Sequence, residues 1–168
     1  VAEAGVNHNG DIDLAKELIR IAKKAGVDAV KFQTFKAENL AIKKAPKASY
    51  QIDRRKGESE SQYDMIKKLE LSEEDFKELY DFSQKIGIIF LSTPYDFESV
   101  DFLDELGVPA FKISSTDLTN LPLLEYVAEK GKPIILSTGM ASLREIEEAI
   151  ATIKGAGNED IVLLHCVT

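Results

Sequence analysis

The segment Ala110–Asn120 reads Ala-Phe-Lys-Ile-Ser-Ser-Thr-Asp-Leu-Thr-Asn, and the interpretation of the whole chain starts from it. It predicts a short apolar strand that ends in a polar turn, with Lys112 inside the strand. A buried ammonium group needs an anion or a route to water, because burying an unpaired charge is costly. Hydroxyl groups and a carboxylate follow at Ser114–Asp117. These side chains are therefore predicted to gather at the carboxyl end of a strand, where α/β proteins bind ligands.

The same order of features occurs five times along the chain: a helix, a glycine, an apolar strand and a polar residue. The predicted strands are Asp28–Gln33, Ile88–Ser92, Ala110–Ser114, Pro133–Ser137 and Ile161–His165, with a further one at Val1–Ala4. Continuous apolar strands between amphipathic helices are typical of parallel strands covered by helices. An open doubly wound sheet and a (β/α)8 barrel both have this order of elements.

The polar residues at the strand ends favour the barrel. No Gly-x-Gly-x-x-Gly or P-loop motif follows a strand, which argues against a nucleotide-binding open sheet. Polar residues close nearly every strand, as at a barrel mouth to which all strands contribute. The predicted fold class is α/β, a (β/α)8 TIM barrel of which about six strands are present. We expect residues 1–168 to be a partial catalytic barrel, from the end of strand 1 to strand 6, because both chain ends read as interrupted strands.

Helix faces and caps are also predicted. Ser72 is expected to cap one helix, and Ser142 with Glu145 forms a capping box at another. The first helix is expected to bury the apolar residues that share one face at the 3.6-residue period. These residues are Leu14, Leu18, Ile21, Ala22 and Ala25.

Composition narrows the class of protein. A net charge of −8 argues against nucleic acid as a partner. No apolar run approaches the ~20 residues that a membrane helix needs, so no membrane association is expected. The single cysteine, Cys166, excludes an internal disulfide and favours a reducing cytoplasm.

The segment Thr34–Gln62 is long for a connection between a strand and a helix. It is basic although the chain as a whole is acidic. Its basic cluster is Lys43, Lys44, Lys47, Arg54, Arg55 and Lys56. A solvated surface loop and a lid over the site both fit this composition.

Two lysines inside apolar strands are the strongest sign of a ligand. Lys31 and Gln33 share strand parity and are expected to point the same way. One such lysine could be paired with a carboxylate, but Lys31 and Lys112 together suggest a small-molecule phosphate or carboxylate. Glu3, at another strand end, is either a general acid or base or an ordinary solvated glutamate.

The remaining candidates are hydroxyl and imidazole groups. Ser92-Thr93-Pro94 and Ser137-Thr138-Gly139 close two strands, where hydroxyls either bind phosphate or cap helices. His165 ends the last strand and is either a metal ligand or structural. Its parity with Ile161 and Leu163 is expected to place it toward the interior, with Cys166 facing away and inert. His8 is interpreted as a turn residue.

Six motifs occur in order and carry a family resemblance. They are Glu-Ala-Gly-Val-Asn-His-Asn-Gly, Val-Lys-Phe-Gln-Thr, Leu-Ser-Thr-Pro-Tyr, Phe-Lys-Ile-Ser-Ser-Thr-Asp-Leu-Thr-Asn, Ile-Leu-Ser-Thr-Gly-Met and Leu-Leu-His-Cys-Val-Thr. Together they resemble the catalytic barrel of the sialic acid synthase family. That family includes N-acetylneuraminate, legionaminate and pseudaminate synthases and a spore-coat polysaccharide relative. The resemblance implies an enzyme that condenses phosphoenolpyruvate with an open-chain N-acetylated amino sugar of the N-acetylmannosamine type.

The resemblance also implies roles for individual residues. Lys31 and Lys112 would bind the phosphoenolpyruvate anion. Thr93, Ser115 and Ser137 would hold its phosphate.

Four other residues receive roles in the same way. Glu3 would handle protons at the condensing carbons, and Asp117 stands where many relatives have an acidic residue. Gln33 would contact the sugar. His165 would be one ligand of a divalent metal, Mn2+ or Mg2+.

The chain departs from the family pattern at Ser114 and Thr116, which replace the usual glycines of that turn. The resemblance further implies a second metal histidine and an antifreeze-like C-terminal domain beyond Thr168. In relatives that domain reaches the partner's site in a homodimer, so the chain alone is not expected to be active. Two other readings remain open, a phosphoenolpyruvate-condensing barrel for eight- or seven-carbon sugar acids and a non-catalytic sugar-binding barrel in polysaccharide assembly.

Overall fold

Six strands alternate with seven helices in the computed structural model, which describes residues 1–43 and 61–167. The strands are β1 (Ala2–Gly5), β2 (Ala29–Thr34), β3 (Ile89–Pro94), β4 (Phe111–Ile113), β5 (Ile134–Ser137) and β6 (Ile161–Leu164). The helices are α1 (Ile12–Lys24), α2 (Ala37–Leu40), α3 (Gln62–Lys67), α4 (Glu73–Ile86), α5 (Phe97–Leu106), α6 (Leu121–Glu129) and α7 (Leu143–Gly155). Each predicted strand is present, with its ends shifted by one or a few residues.

All strand pairs are parallel. The described residues form two three-stranded sheets, with the orders β1-β2-β3 and β4-β5-β6, and β3 lies beside β4. The prediction of an α/β fold with parallel strands is therefore confirmed. A closed eight-stranded barrel is not formed by the described residues. Because the strands are parallel, their carboxyl ends meet at one edge, and this edge carries the candidate site.

The core lies between the sheets and the helices and is built on aromatic residues. Phe32, Phe90 and Phe111 are fully buried, and the rings of Phe32 and Phe90 stack with their centroids 5.5 Å apart. These residues alternate along the strands with the polar ones, so the apolar face of the sheets turns toward the helices. The interior face is left to the lysines and hydroxyl residues.

Helix α1 buries a different stripe from the one predicted. The residues in the core are Ala15, Ile19 and Ala22, whereas Leu14 is 38% and Ile21 is 55% exposed. The buried stripe is thus shifted by about one residue from the predicted one, and Leu18 packs only partly against the core. Only Ala22 of the fully buried set was predicted.

The predicted caps are confirmed. Ser72 and Asp75 form a capping box at α4, and Ser142 and Glu145 form another at α7. Helix α4 ends at Gly87, which has a φ of 72° that a residue with a Cβ atom rarely adopts. These caps fix where each helix begins and ends, and with it the length of each strand–helix connection.

The long connection after β2 begins with helix α2 and ends where α3 begins. The backbone N of Ala37 donates to Oε2 of Glu70 at 2.9 Å, which ties the start of α2 to the segment after α3. Of the predicted basic cluster, the structure describes Lys43. Residues 44–60, which carry the other five basic residues, lie outside the described part. No helix among the described residues has the length and apolar character needed to cross a membrane.

Candidate functional site

Glu3 and Lys31 form an ion pair at the carboxyl end of the first sheet. They are Cα partners in the β1–β2 register, so their side chains project from the same face. Lys31 is 9% exposed, and its Nζ atom pairs with Oε2 of Glu3. The same Nζ atom lies 3.4 Å from Oγ1 of Thr93 on β3. The structure thus brings together three residues that the sequence predicted for the site.

Lys112 lies on β4 in the second sheet and is 8% exposed. Its Nζ atom donates to Oγ of Ser137 and to the backbone oxygen of Ile113, both at 2.6 Å. Within the described part of the chain it forms no ion pair, in contrast to Lys31. Burial, followed by repulsion from Lys31, lowers the pKa of Lys112 to about 8. A lysine with this pKa is still mainly a cation at neutral pH.

The two ammonium groups belong to one electrostatic site. The charge of Lys31 acts on Lys112, although the two lysines come from different sheets. Only Lys31 has a carboxylate in contact, so the pair leaves one buried positive charge without a partner. A bound anion would supply that partner and remove the cost of burying the charge. The arrangement therefore fits a small anion such as a phosphate or carboxylate.

The turn between β4 and α6 holds the second candidate carboxylate, Asp117. Oγ of Ser114 donates to Oδ2 of Asp117 at 2.5 Å, and Oγ1 of Thr116 lies 3.4 Å from the same oxygen. The two hydroxyl oxygens are 2.6 Å apart. Ser115 is half-buried in this turn. The hydroxyl groups of Ser114 and Thr116 thus hold the Asp117 carboxylate in place.

Gln33 approaches Glu3 across a glycine. It is the Cα partner of Thr93 in the β2–β3 register, one layer above Lys31. Gly5 has a φ of +53°, and a Cβ atom there would lie 3.1 Å from Oε1 of Glu3 and 3.6 Å from Nε2 of Gln33. A glycine is needed at this position because both the backbone and the space exclude a larger residue.

Sequence reasoning missed Tyr95 as a site residue. This half-buried tyrosine follows β3 directly. Burial, and then the negative charges of Asp117 and Glu3, raise the pKa of Tyr95 to about 12, although a hydrogen bond with Ser114 opposes this. Tyr95 therefore lies near both candidate carboxylates. The available signal was its strand parity, since Tyr95 is two residues after Thr93.

The predicted orientation of Ile161 and Leu163 toward the interior, from which that of His165 was inferred, was wrong. Ile135 pairs with Lys112 on one side and with Val162 on the other, so Val162 shares the face of Lys112. Ile161 instead packs partly against the core, on the helix side. Because β6 is apolar throughout, its sequence does not show which residues face the interior. The pairing with β5 determines this.

The interpretation of Cys166 as facing away from the site was also wrong. Its Sγ atom accepts a hydrogen bond from the backbone N of Gly139 at 3.1 Å. This bond, with smaller contributions from Ser137, Thr138 and the charge of Lys112, lowers the pKa of Cys166. The thiol therefore lies beside the end of β5. His165 is exposed just after β6.

The described residues do not form a metal site by themselves. Residues 1–43 and 61–167 contain no cluster of three or more His, Cys, Asp or Glu side chains that could hold a metal ion. His165 is exposed just after β6 and belongs to no such cluster of described residues. A metal site would therefore need ligands from outside residues 1–43 and 61–167.

His8 is a buried turn residue, as the sequence indicated. Its Nδ1 atom accepts a hydrogen bond from the backbone N of Gly10 at 3.0 Å, and its Nε2 atom is buried without a partner in the described structure. Burial lowers the pKa of His8, and Asp75 opposes this shift. The imidazole is therefore held neutral.

The fold and the site together define a parallel α/β protein with two buried lysines near the carboxyl ends of its strands. The chain belongs to the NeuB family, whose profile matches residues 18–168. It is 55% identical over 170 residues to the N,N'-diacetyllegionaminic acid synthase of Campylobacter jejuni, covering 100% of this chain and 51% of that protein. The predicted family resemblance is confirmed.

Solved structures agree with this assignment. The N-acetylneuraminic acid synthetase of Leptospira borgpetersenii superimposes with a TM-score of 0.84 at 38% identity, over 99% of this chain and 53% of that one. A truncated 3-deoxy-D-arabino-heptulosonate 7-phosphate synthase of Thermotoga maritima gives a TM-score of 0.67 at 16% identity, over 97% of this chain and 49% of that one. The second match concerns the fold alone. The chain spans about half the length of these proteins.

Proposed function

We propose that this chain is part of a synthase that condenses phosphoenolpyruvate with an open-chain N-acetylated amino sugar to give a nine-carbon 2-keto acid and phosphate. The observation that carries the proposal is that the buried lysines Lys31 and Lys112 act on each other electrostatically. In the described part of the chain, only Lys31 has a carboxylate, that of Glu3, in contact. Phosphoenolpyruvate carries a carboxylate and a phosphate on the same carbon, and two ammonium groups on neighbouring sheets suit such an anion. The names of the family relatives support the amino sugar as second substrate.

The chemistry asks for few groups from the protein. Carbon 3 of phosphoenolpyruvate forms a bond to the aldehyde carbon of the sugar, and the aldehyde oxygen takes a proton. Water adds to carbon 2, the bond between carbon 2 and the phosphate oxygen breaks, and phosphate leaves. Glu3, in contact with Lys31, is proposed to move protons at the reacting carbons, and Asp117 is proposed as a second catalytic carboxylate.

The binding roles divide by position. Lys31 and Lys112 are proposed to neutralise the phosphoenolpyruvate anion. Thr93, Ser115 and Ser137 are proposed to hold its phosphate, since Thr93 and Ser137 already contact the lysines.

Gln33, which is level with Thr93 and lies above Lys31 in the register, is proposed to contact the sugar. The proposal extends to the whole molecule: a complete (β/α)8 barrel followed by an antifreeze-like domain, a homodimer, and a cytoplasmic location.

A coupled assay of the complete protein tests the reaction. We expect phosphate release that depends on both phosphoenolpyruvate and an amino sugar, tested with N-acetylmannosamine, its 6-phosphate and 2,4-diacetamido-trideoxy hexoses. The identity with a diacetyllegionaminic acid synthase is the reason for including the last class. Mass spectrometry of the product would show a keto acid with three carbons more than the sugar.

The same assay separates the alternatives. Turnover with four- or five-carbon sugar phosphates, and none with amino sugars, would show a synthase of seven- or eight-carbon sugar acids. Sugar binding by calorimetry without turnover would indicate the non-catalytic barrel. Either outcome would replace the proposed function.

A divalent metal, Mn2+ or Mg2+, belongs to the proposal as a cofactor of the complete protein, with His165 as one ligand. Neutral imidazole is a common ligand of divalent metals. We expect His165→Ala to lower Mn2+ affinity in calorimetric titration and to abolish metal-stimulated turnover without changing the thermal midpoint. Equal Mn2+ affinity in the two proteins would remove His165 from the site.

A further inference from the structure

We propose that Tyr95 positions the amino sugar by donating a hydrogen bond from its hydroxyl group to an uncharged oxygen of that substrate. The inference rests on the proposed function and goes beyond it, because it adds a residue to the sugar side of the site. It also divides the site into two layers, a charged one for phosphoenolpyruvate and a neutral one for the sugar.

The position of Tyr95 along the strand is the first argument. Thr93 points into the site, with its hydroxyl 3.4 Å from Nζ of Lys31. The backbone N of Tyr95 donates to the oxygen of Thr34 at 3.2 Å, so the pairing of β2 and β3 continues past Pro94. Tyr95 therefore projects from the same face as Thr93, about 7 Å further toward the mouth at ~3.3 Å per residue.

Its neighbours are the second argument. The charges of Glu3, at the end of β1, and Asp117, in the β4–α6 turn, both act on the phenol, and Ser114 lies beside it. Tyr95 thus links the two sheets at their carboxyl edge. On its far side, its ring meets the ring of Phe35 edge-on, with centroids 6.5 Å apart. The aromatic contact restricts the orientation of the ring.

The hydroxyl proton is the third argument. Oδ2 of Asp117 accepts hydrogen bonds from Ser114 and Thr116, and Oε2 of Glu3 is paired with Lys31. Within residues 1–43 and 61–167, neither carboxylate accepts a hydrogen bond from the Tyr95 hydroxyl. With a pKa of about 12 the phenol remains protonated at physiological pH, so it can donate to a ligand.

The chemistry of the recognised group follows from these surroundings. A phosphate or carboxylate beside Tyr95 would be repelled by Glu3 and Asp117, whereas Lys31 pairs in register with Leu91, four residues before Tyr95. A hydroxyl or an amide carbonyl carries no net charge and accepts a hydrogen bond from a neutral phenol. Open-chain N-acetylated sugars have both groups. The geometry thus assigns the Tyr95 layer to the sugar.

The test is Tyr95→Phe in the complete protein, which removes the hydroxyl and keeps the ring contact with Phe35. We expect the sugar KM to rise about 3- to 10-fold, the range of one neutral hydrogen bond, with the phosphoenolpyruvate KM unchanged. Tyr126→Phe is the matched control. The Tyr126 hydroxyl bonds Asp101 at 2.7 Å on the helix layer, so its removal should leave both KM values unchanged.

Sugar analogues sharpen the test. Deoxy analogues and one that lacks the acetyl group are assayed with both wild type and Tyr95→Phe. For the analogue that lacks the contacted oxygen, the difference between the two proteins should disappear. An equal loss with every analogue, or a rise in the phosphoenolpyruvate KM instead, would show that Tyr95 only supports the Asp117 turn and would overturn the inference.

The outcomes for Tyr95 and for the proposed function are distinguishable. An active wild-type enzyme with an unchanged sugar KM in Tyr95→Phe overturns the Tyr95 inference alone. A wild-type protein that releases no phosphate with any amino sugar overturns the proposed function, and the inference with it.

Discussion

The two sheets each place one lysine in the site, and the two lysines have different partners. Lys31 in the first sheet is paired with Glu3 of the neighbouring strand. Lys112 in the second sheet meets only the hydroxyl of Ser137 and a backbone oxygen. Both are about equally buried, at 9% and 8% exposure. The partners, and not the degree of burial, distinguish the two lysines.

The different partners of Lys31 and Lys112 fit the different roles proposed for the two sheets. In the first sheet, a proton can pass between the Lys31 ammonium group and the Glu3 carboxylate in contact with it, and the net charge of the pair stays near zero. In the second sheet, a cation with neutral partners is available to compensate an incoming anion. Lysines that look alike in the sequence thus acquire different roles, because the next strand supplies a carboxylate in one case and a hydroxyl in the other.

Glu3→Gln should have the largest effect, because it removes the carboxylate that distinguishes Lys31 from Lys112. General acid–base catalysis typically contributes about 10²- to 10⁴-fold, so kcat should fall by that order. Loss of the carboxylate frees Lys31, so phosphoenolpyruvate should bind as tightly as before or more tightly. Steady-state kinetics and calorimetry on the complete protein measure both. A weaker phosphoenolpyruvate affinity with unchanged kcat would contradict the assigned role.

Lys112→Ala should have the next largest effect, on binding. A charge-assisted contact contributes roughly 1.5–3 kcal/mol, so phosphoenolpyruvate should bind about 10- to 150-fold more weakly. Lys130→Ala is the matched control, because this lysine pairs with Asp101 on the helix layer. Calorimetric titration with phosphoenolpyruvate provides the measurement. If KM and kcat stay at wild-type values, Lys112 is not part of the site.

The pH dependence of phosphoenolpyruvate binding tests the role of the Lys112 charge. Since the pKa of Lys112 is lowered to about 8, the ligand-free protein loses this positive charge as the pH rises through that value. Phosphoenolpyruvate affinity should therefore fall above about pH 8, by at most about tenfold per pH unit. The measurement is the dissociation constant from pH 7.5 to 9.5, where a phosphate monoester is already doubly ionised. In Lys112→Arg the decline should be much weaker, and an equal decline in both proteins would assign the titration to another group.

The smallest expected effect concerns stability and lies outside the lysine pair. The pKa of His8 is lower in the folded protein than in the unfolded chain, so the unfolded chain binds protons more readily near pH 6. Stability should be fully present above the unfolded pKa of ~6.5 and should decrease as the pH falls below it. Urea unfolding of wild type and His8→Gln at pH 5 and pH 8 measures this. His165→Gln is the control, since that residue is exposed, and it should keep the wild-type pH dependence. A His8→Gln protein with the same pH dependence would refute the assignment.

Much of the fold could be predicted from residues whose effect is local. Ser72, Ser142 and the glycine after α4 mark helix ends because capping depends on neighbours within four residues. The buried stripe of α1 was predicted one residue out of phase, because it depends on how closely the helix approaches the sheet. The parity of β6 failed for a related reason: every residue of Ile161–Leu164 is apolar, so the sequence does not distinguish its faces.

The site divides in the same way. The sequence by itself determined that lysines stand inside apolar strands and that hydroxyls and carboxylates follow at the strand ends, since side-chain alternation and residue chemistry are local properties. Only the tertiary structure decided that Lys31 meets Glu3 while Lys112 meets Ser137, that Tyr95 lies near two carboxylates, and that Cys166 lies beside Gly139. These relations join residues from different strands. Strand order and register set them, and both depend on how the helices pack, which no single segment of the chain specifies.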